Sequence, residues 1–381
     1  VNSKAIYFGF KILSEEWITN QTSNEFANIR RMLFPVMNKR RWFFWPTLLL
    51  LALIVRALAP DSLVEEAYGS ALYPVIRAFS GFISSMSPLP LVYLLLAGLV
   101  VYGFWVWHAG RAGFRPLQVL SVLSFWAFTF LLLWGFNYQR IPFAQKAGLD
   151  AKPLDATAIE EEFDWAIGQI LESRQALGIS TDEPISQFYG FERLEEYLHP
   201  RVQQAARGWG YPAEGRVRAR LLYPKGILLR FSSSGVYLPW TGEGHIDAGL
   251  HPLNWPFVMA HEMSHGYGIA DEGVCNFLAY QVCAYDPDPY LRYAGTLYYW
   301  RYAAYEMRRF CPLELEETIQ ALPEGIRADL AAIREYADRY PDFIPQWRDL
   351  VYDSFLKSQG LRDGVLSYDQ VLVLAYAYRT Q

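Results

Sequence analysis

Residues 261–265 read His-Glu-Met-Ser-His, and this H-E-x-x-H spacing is the part of the chain best suited to chemistry. On an α-helix, positions i and i+4 share a face, so the imidazoles of His261 and His265 can hold one metal ion between them. Glu262 projects about 100° away, where its carboxylate can serve as general base towards a water. A catalytic zinc takes three protein ligands and keeps one position open. Two acids follow closely enough to be the third: Asp271, at the spacing H-E-x-x-H-x-x-G-x-x-D, and Glu272. Glu272 is preferred because Asn276 lies at i+4 from it, where its amide can hydrogen-bond the ring nitrogen that a ligating histidine leaves free. Asp271 then reads as the N-cap of the next helix. His245 and His251 compete as ligands only if the preceding loop folds back. The expected cofactor is Zn2+, although imidazole and carboxylate also suit manganese, cobalt or nickel.

These side chains need elements to hold them. A helix starting near Asn254 or Trp255 carries the two histidines, Gly266 and Gly268 can end it, and Val274 to Cys283 continue in a second helix. The segment Gly235 to Pro239 predicts a strand that its proline confines to a sheet edge or a strand end. An edge strand can hold an extended peptide by main-chain hydrogen bonds, which makes Val236 and Tyr237 candidate substrate contacts. Tyr293, Tyr237 and His245 are candidates for stabilising an oxyanion. Further strands are predicted at Arg218–Tyr223 and Ile227–Phe231, separated by turn residues. Helices are predicted after Asp155, from Phe191 to Ala206, and from Pro252 to the end, where Tyr352-Asp353 and Ser367-Tyr368 read as core. The pattern is α+β: residues 141–381 form a mostly helical domain with a small antiparallel sheet.

The first part differs in character. Three apolar windows, Trp42–Ala59, Leu91–Trp107 and Leu117–Phe136, each approach the roughly 20 residues that a bilayer core requires. They predict a three-helix transmembrane region over residues 38–140, with Pro60–Ser87 an amphipathic or partly re-entrant piece. Lys39, Arg40 and Arg41 before the first window and Arg111 and Arg115 between the other two place those ends on the cytoplasmic side. The expected location is therefore a bacterial inner membrane, multi-pass, with the C-terminal domain extracytoplasmic. Ala57-Leu58-Ala59 also has the shape of a signal-cleavage site, against which Arg56 and Pro60 argue. Residues 1–37 read as an N-terminal extension. Cys275 and Cys283, eight positions apart on one helix, cannot pair with each other, and the three cysteines read as buried thiols.

The 381 residues are 52% hydrophobic, 17% aromatic and 19% charged, with a net charge of -5, so no basic face is available for nucleic acid. Neither the second nor the third window contains an ionisable residue that would line an ion path, which argues against a transporter. Gly235 to Glu243, His261 to Gly268 with Glu272, Asn276 to Tyr280, Arg292 to Gly295, and Trp134 to Arg140 together resemble an uncharacterised family of bacterial membrane proteins. That resemblance implies three N-terminal spans and a zincin-like metallopeptidase motif. The family pattern has a second acid two positions after Glu272, where this chain has Val274, which leaves Glu272 as the acid retained. The function expected is a membrane-anchored zinc metallohydrolase acting on peptide or protein at a lipid bilayer. The alternative is a membrane sensor or scaffold whose metal site is closed by a fourth protein ligand such as Cys275.

Overall fold

A break in the backbone sets the length of the first apolar helix. In the computed structural model, which describes residues 42–109, 116–343 and 370–381, α1 (Phe44–Leu58) stops just before Pro60. After a turn at Asp61–Leu63, a π-helical stretch (Val64–Leu72) runs into α2 (Tyr73–Met86). The axis bends by 118° between Phe44–Leu58 and Asp61–Met86. Next come α3 (Leu91–Ala109) and α4 (Pro116–Leu133). These lengths correct the expectation of three spans and of a multi-pass protein. Only α4 is both long and apolar enough to cross a membrane among the described residues, or two spans if the bent pair counts as one. The 15 residues of α1 rise about 22 Å, short of the roughly 30 Å hydrocarbon core. Residues 1–37, the basic residues Lys39 to Arg41, Arg111 and Arg115, and the pairs Tyr352-Asp353 and Ser367-Tyr368 lie outside the described residues.

The chain divides into two units. One falls within Val1–Leu53 and Gly98–Phe128; in it Trp45 meets Phe125 edge to face with ring centroids 4.8 Å apart. The other comprises Ile54–Ala97 and Thr129–Gln381 and contains the main core. Within it α2 has reversed polarity. Val75, Phe79, Phe82 and Met86 are 63 to 71% exposed, whereas Arg77, Gly81 and Ser84 are buried. The buried face is small and polar so that the helix can approach backbone: a Cβ on Gly81 would stand 2.5 Å from the Arg216 carbonyl oxygen, and Ser84 donates to Glu243 at 2.5 Å. Water favours the opposite arrangement.

A short helix, α5 (Phe143–Ala147), leads into α6 (Ala156–Ala176), which is capped by Asp155 accepting from the Ala158 N–H at 2.9 Å. Then follow α7 (Phe191–Gly208) and the strands β1 (Arg218–Leu222), β2 (Gly235–Leu238) and β3 (Glu243–Asp247). Helices α8 (Trp255–Gly266), α9 (Glu272–Ala284), α10 (Pro289–Phe310), α11 (Pro312–Ala321), α12 (Glu324–Asp338) and α13 (Gln370–Thr380) complete the order. The sheet order is β1-β3-β2, and β3 runs parallel to β1 but antiparallel to β2, so the sheet is mixed and not antiparallel. The predicted strand at Ile227–Phe231 is instead a loop ending in a 3-10 turn, Leu229–Phe231. Its N–H groups are already taken: the Asp247 carboxylate accepts from Gly226 and Leu228 at 2.7 Å and from Leu229 at 3.2 Å.

The loop before α8 holds a pH-dependent contact. His251 Nδ1 accepts from the Leu253 N–H at 3.3 Å, and its ring meets Tyr336 edge on at 4.7 Å. Burial, with Arg339 nearby, lowers its pKa to about 4. A protonated ring cannot accept that bond. As pH falls below about 6.5 the unfolded chain therefore takes up a proton that the folded chain refuses until about pH 4. Stability should fall through that window by on the order of 1 to 2 kcal/mol from this residue. His251→Asn, which keeps an acceptor but does not titrate, is expected to flatten that slope in urea unfolding compared at pH 7, 5.5 and 4.5.

Candidate metal centre

Helix α8 is buried on nearly every side, packed between α7, α9 and the sheet, which fixes the rotamers of the side chains it carries. Asn254 and Pro256 start it, and Gly268, with φ +84°, turns the chain back towards α9. Three donor atoms converge between the two helices. His261 Nε2 lies 3.1 Å from His265 Nε2 and 3.1 Å from Glu272 Oε2, and His265 Nε2 is 3.5 Å from the same oxygen. His261, His265 and Glu272 form a cluster able to hold a divalent cation.

The tautomers are set from behind. His265 Nδ1 is 2.8 Å from the Ile269 carbonyl oxygen, which can only accept, so the proton sits on Nδ1. His261 Nδ1 donates in the same way to Asn276 Oδ1 at 2.8 Å. Both Nε2 lone pairs are thereby directed at each other and at a carboxylate. Burial disfavours charge on Glu272, yet His265 and His261 beside it hold its carboxyl well below the usual range. Burial likewise opposes charge on His265, but Cys275 and Glu272 raise its pKa well above the ordinary value. The cluster thus favours positive charge at its centre. Tetrahedral zinc, bonded at about 2.0 to 2.1 Å, separates its ligand atoms by about 3.4 Å, close to the three distances found. Asn276→Leu removes the acceptor behind His261 and is expected to weaken zinc affinity about 10- to 100-fold in chelator competition, with Asn276→Asp retaining most of it.

Glu262 is buried beside the cluster, and its Oε2 has no hydrogen-bond partner among the described residues. Burial raises its pKa to about 7. Two glycines make room for it. A Cβ on Gly235 of β2 would stand 2.5 Å from Glu262 Oε1, and one on Gly244 of β3 would stand 2.6 Å from Glu262 Cβ. Asp271 caps α9, its Oδ1 accepting from the Val274 N–H at 3.0 Å. Cys275 contacts the Nδ1 side of His265 at 3.3 Å, away from the converging atoms, and burial pushes its thiol pKa up to about 12.

A cavity of about 610 Å³ opens onto the cluster, and Val236 and Tyr237 line it together with Glu262, the two histidines, Glu272 and Asn276. His245 and Tyr293 do not line it. His245 is fully buried in β3 with Nδ1 against the Glu243 carbonyl oxygen at 3.2 Å, and Tyr293 donates to Asp329 at 2.6 Å inside the core. Sequence reasoning missed Tyr138, which lines the cavity and interacts electrostatically with Glu272 and His265; burial raises its pKa, so the hydroxyl stays protonated. The signal for it was its place in the Trp134–Arg140 run. That same region also supports the turn after His265. Trp134 Nε1 donates to the His265 carbonyl oxygen at 3.3 Å, Tyr73 to that of Gly266 at 3.1 Å, and Arg140 to that of Gly268 at 3.4 Å.

No curated protein and no solved structure matches the chain. A family model does match it, and it carries no stated activity. The expectation of a family with three N-terminal spans is corrected by the one candidate span, or two with the bent pair, found among the described residues, and zincin and metallopeptidase are not labels that the match supplies. What stands is a His-His-Glu cluster. The match covers residues 68–376, well over half of the chain, which therefore belongs to the family described as protein of unknown function (DUF3810).

Proposed function

We propose that the protein is a zinc-dependent hydrolase, acting on peptide bonds. The observation that carries this reading is the convergence of the His261, His265 and Glu272 donor atoms in the wall of an open cavity, with a buried carboxylate, Glu262, beside them. A divalent ion held by those three residues supplies Lewis acidity towards a carbonyl oxygen and acidifies a water. Glu262 takes the proton of the attacking water on Oε2, the oxygen left without a partner, and hands it to the departing amide nitrogen. Asn276 and the Ile269 carbonyl hold the two imidazoles in the tautomer that ligates. β2 is an edge strand of the sheet and lines the cavity, so its main chain can align an extended polypeptide. The Tyr138 hydroxyl is a protonated donor on the same cavity wall, suited to a developing oxyanion.

A closed structural site would need a fourth protein ligand, and Cys275 is turned to the other side of His265. The test is metal content together with cleavage of a mixed peptide library by the purified full chain, products read by mass spectrometry. Near-stoichiometric zinc with chelator-sensitive cleavage is the expected result. Stoichiometric zinc with no cleavage of any peptide would remove the hydrolase reading.

A further inference from the structure

Besides the cluster, the cavity is lined by two groups of aromatic side chains. One is Phe130, in the last turn of α4, with Trp134 just beyond it and Trp240, whose indole N–H donates to Thr129 Oγ1 at 3.0 Å. The other is Phe257 and Tyr298, stacked with ring centroids 4.2 Å apart and planes 12° from parallel. The charged groups in the lining are Glu262, Glu272 and the two histidines of the cluster; among the described residues no Lys, Arg or Asp lines the cavity. Between the rings and away from those carboxylates, a charged side chain would lose its water without gaining a counter-ion, whereas a bulky apolar one would bury against the rings.

Two further features relate this cavity to lipid. The helix that supplies Phe130 is, among the described residues, the one long and apolar enough to cross a membrane. The reversed helix α2, with its large apolar residues turned outward, begins at Tyr73, which is bonded to the residue directly after His265. We propose that the cavity takes a polypeptide with a bulky apolar side chain next to the scissile bond, presented at a lipid surface. The proposal rests on the hydrolase reading for its chemistry, but its binding preference can be measured without turnover.

The experiment uses the full chain with Glu262→Gln, loaded with zinc and reconstituted in vesicles of phosphatidylcholine and phosphatidylglycerol. Matched peptides carrying Phe, Ala, Asp or Lys at one central position are titrated, free or N-palmitoylated, with binding read by spin-label broadening on the peptide. The Phe peptide is expected to bind at least about 30-fold more tightly than the Asp and Lys peptides, and palmitoylation to tighten it by a further order of magnitude or more. Tyr298→Ala is expected to shrink the Phe-over-Ala preference. Equal affinity for Phe and Asp overturns the apolar specificity, and no gain from palmitoylation overturns the presentation by lipid. A Phe preference in binding, found alongside a wild type that cleaves nothing, would keep the specificity and sink the hydrolase.

Discussion

Glu262→Gln is expected to keep its zinc and to lose turnover by about 10²- to 10⁴-fold, the usual contribution of a positioned general base. The reason lies in what the substitution leaves in place. The amide has nearly the shape of the carboxylate, so the close seat formed by Gly235 and Gly244 still accepts it. The three donor atoms belong to other side chains, and the hydrogen bonds that fix their tautomers do not involve residue 262. An amide cannot take up a proton at neutral pH, so the step assigned to Oε2 has no acceptor. Because a buried carboxylate is replaced by a neutral group, the variant is expected to unfold at the same temperature as the wild type or higher. Zinc stoichiometry by elemental analysis, kcat on a cleaved peptide and the thermal midpoint check the three parts. Full turnover in this variant would move the base elsewhere.

The second large effect separates the two neighbouring acids. Glu272→Ala removes one of three donors and leaves the two imidazole Nε2 atoms, 3.1 Å apart, without the carboxylate that faces both of them. Loss of a group that only orients a ligand costs about 10- to 100-fold in metal affinity, so loss of the ligand itself is expected to cost more than about 100-fold. Asp271→Ala acts on something different. Its carboxylate holds the first turn of α9, and losing that cap is expected to cost about 0.5 to 2 kcal/mol of stability while zinc is retained. Chelator competition and urea unfolding on both variants give opposite patterns if the assignment holds. Zinc lost from Asp271→Ala and kept by Glu272→Ala would exchange the two roles.

The residues of the candidate metal cluster were legible because their signal is local. His261 and His265 one helical turn apart, and Asn276 one turn beyond Glu272, are spacings that any α-helix converts into shared faces. β3 was not legible for the opposite reason. Its sequence, Glu-Gly-His-Ile-Asp, is polar, yet every residue is buried, because Glu243 is satisfied by Ser84, Arg220 and the Leu91 N–H and Asp247 by loop N–H groups. Those partners lie far away in sequence, and no periodicity announces them. The apolar windows failed differently: composition records how much hydrocarbon a stretch carries but not where the helix breaks, as it does between Leu58 and Asp61. Tyr293 and His245 were chosen by residue type alone, and their partners in the fold take them into the core.

Three carbonyl groups at the end of α8 and in the turn after it, those of His265, Gly266 and Gly268, are held by Trp134, Tyr73 and Arg140, all drawn from the segment before residue 141. Every residue of the His-His-Glu cluster lies after that point, so a shortened chain that starts there keeps the whole cluster and loses the clamp on the turn that follows His265. Grafting the C-terminal part onto a foreign anchor breaks the same clamp. The three side chains are therefore part of what shapes the end of α8, and a change at Tyr73, Trp134 or Arg140 reaches the backbone that carries His265.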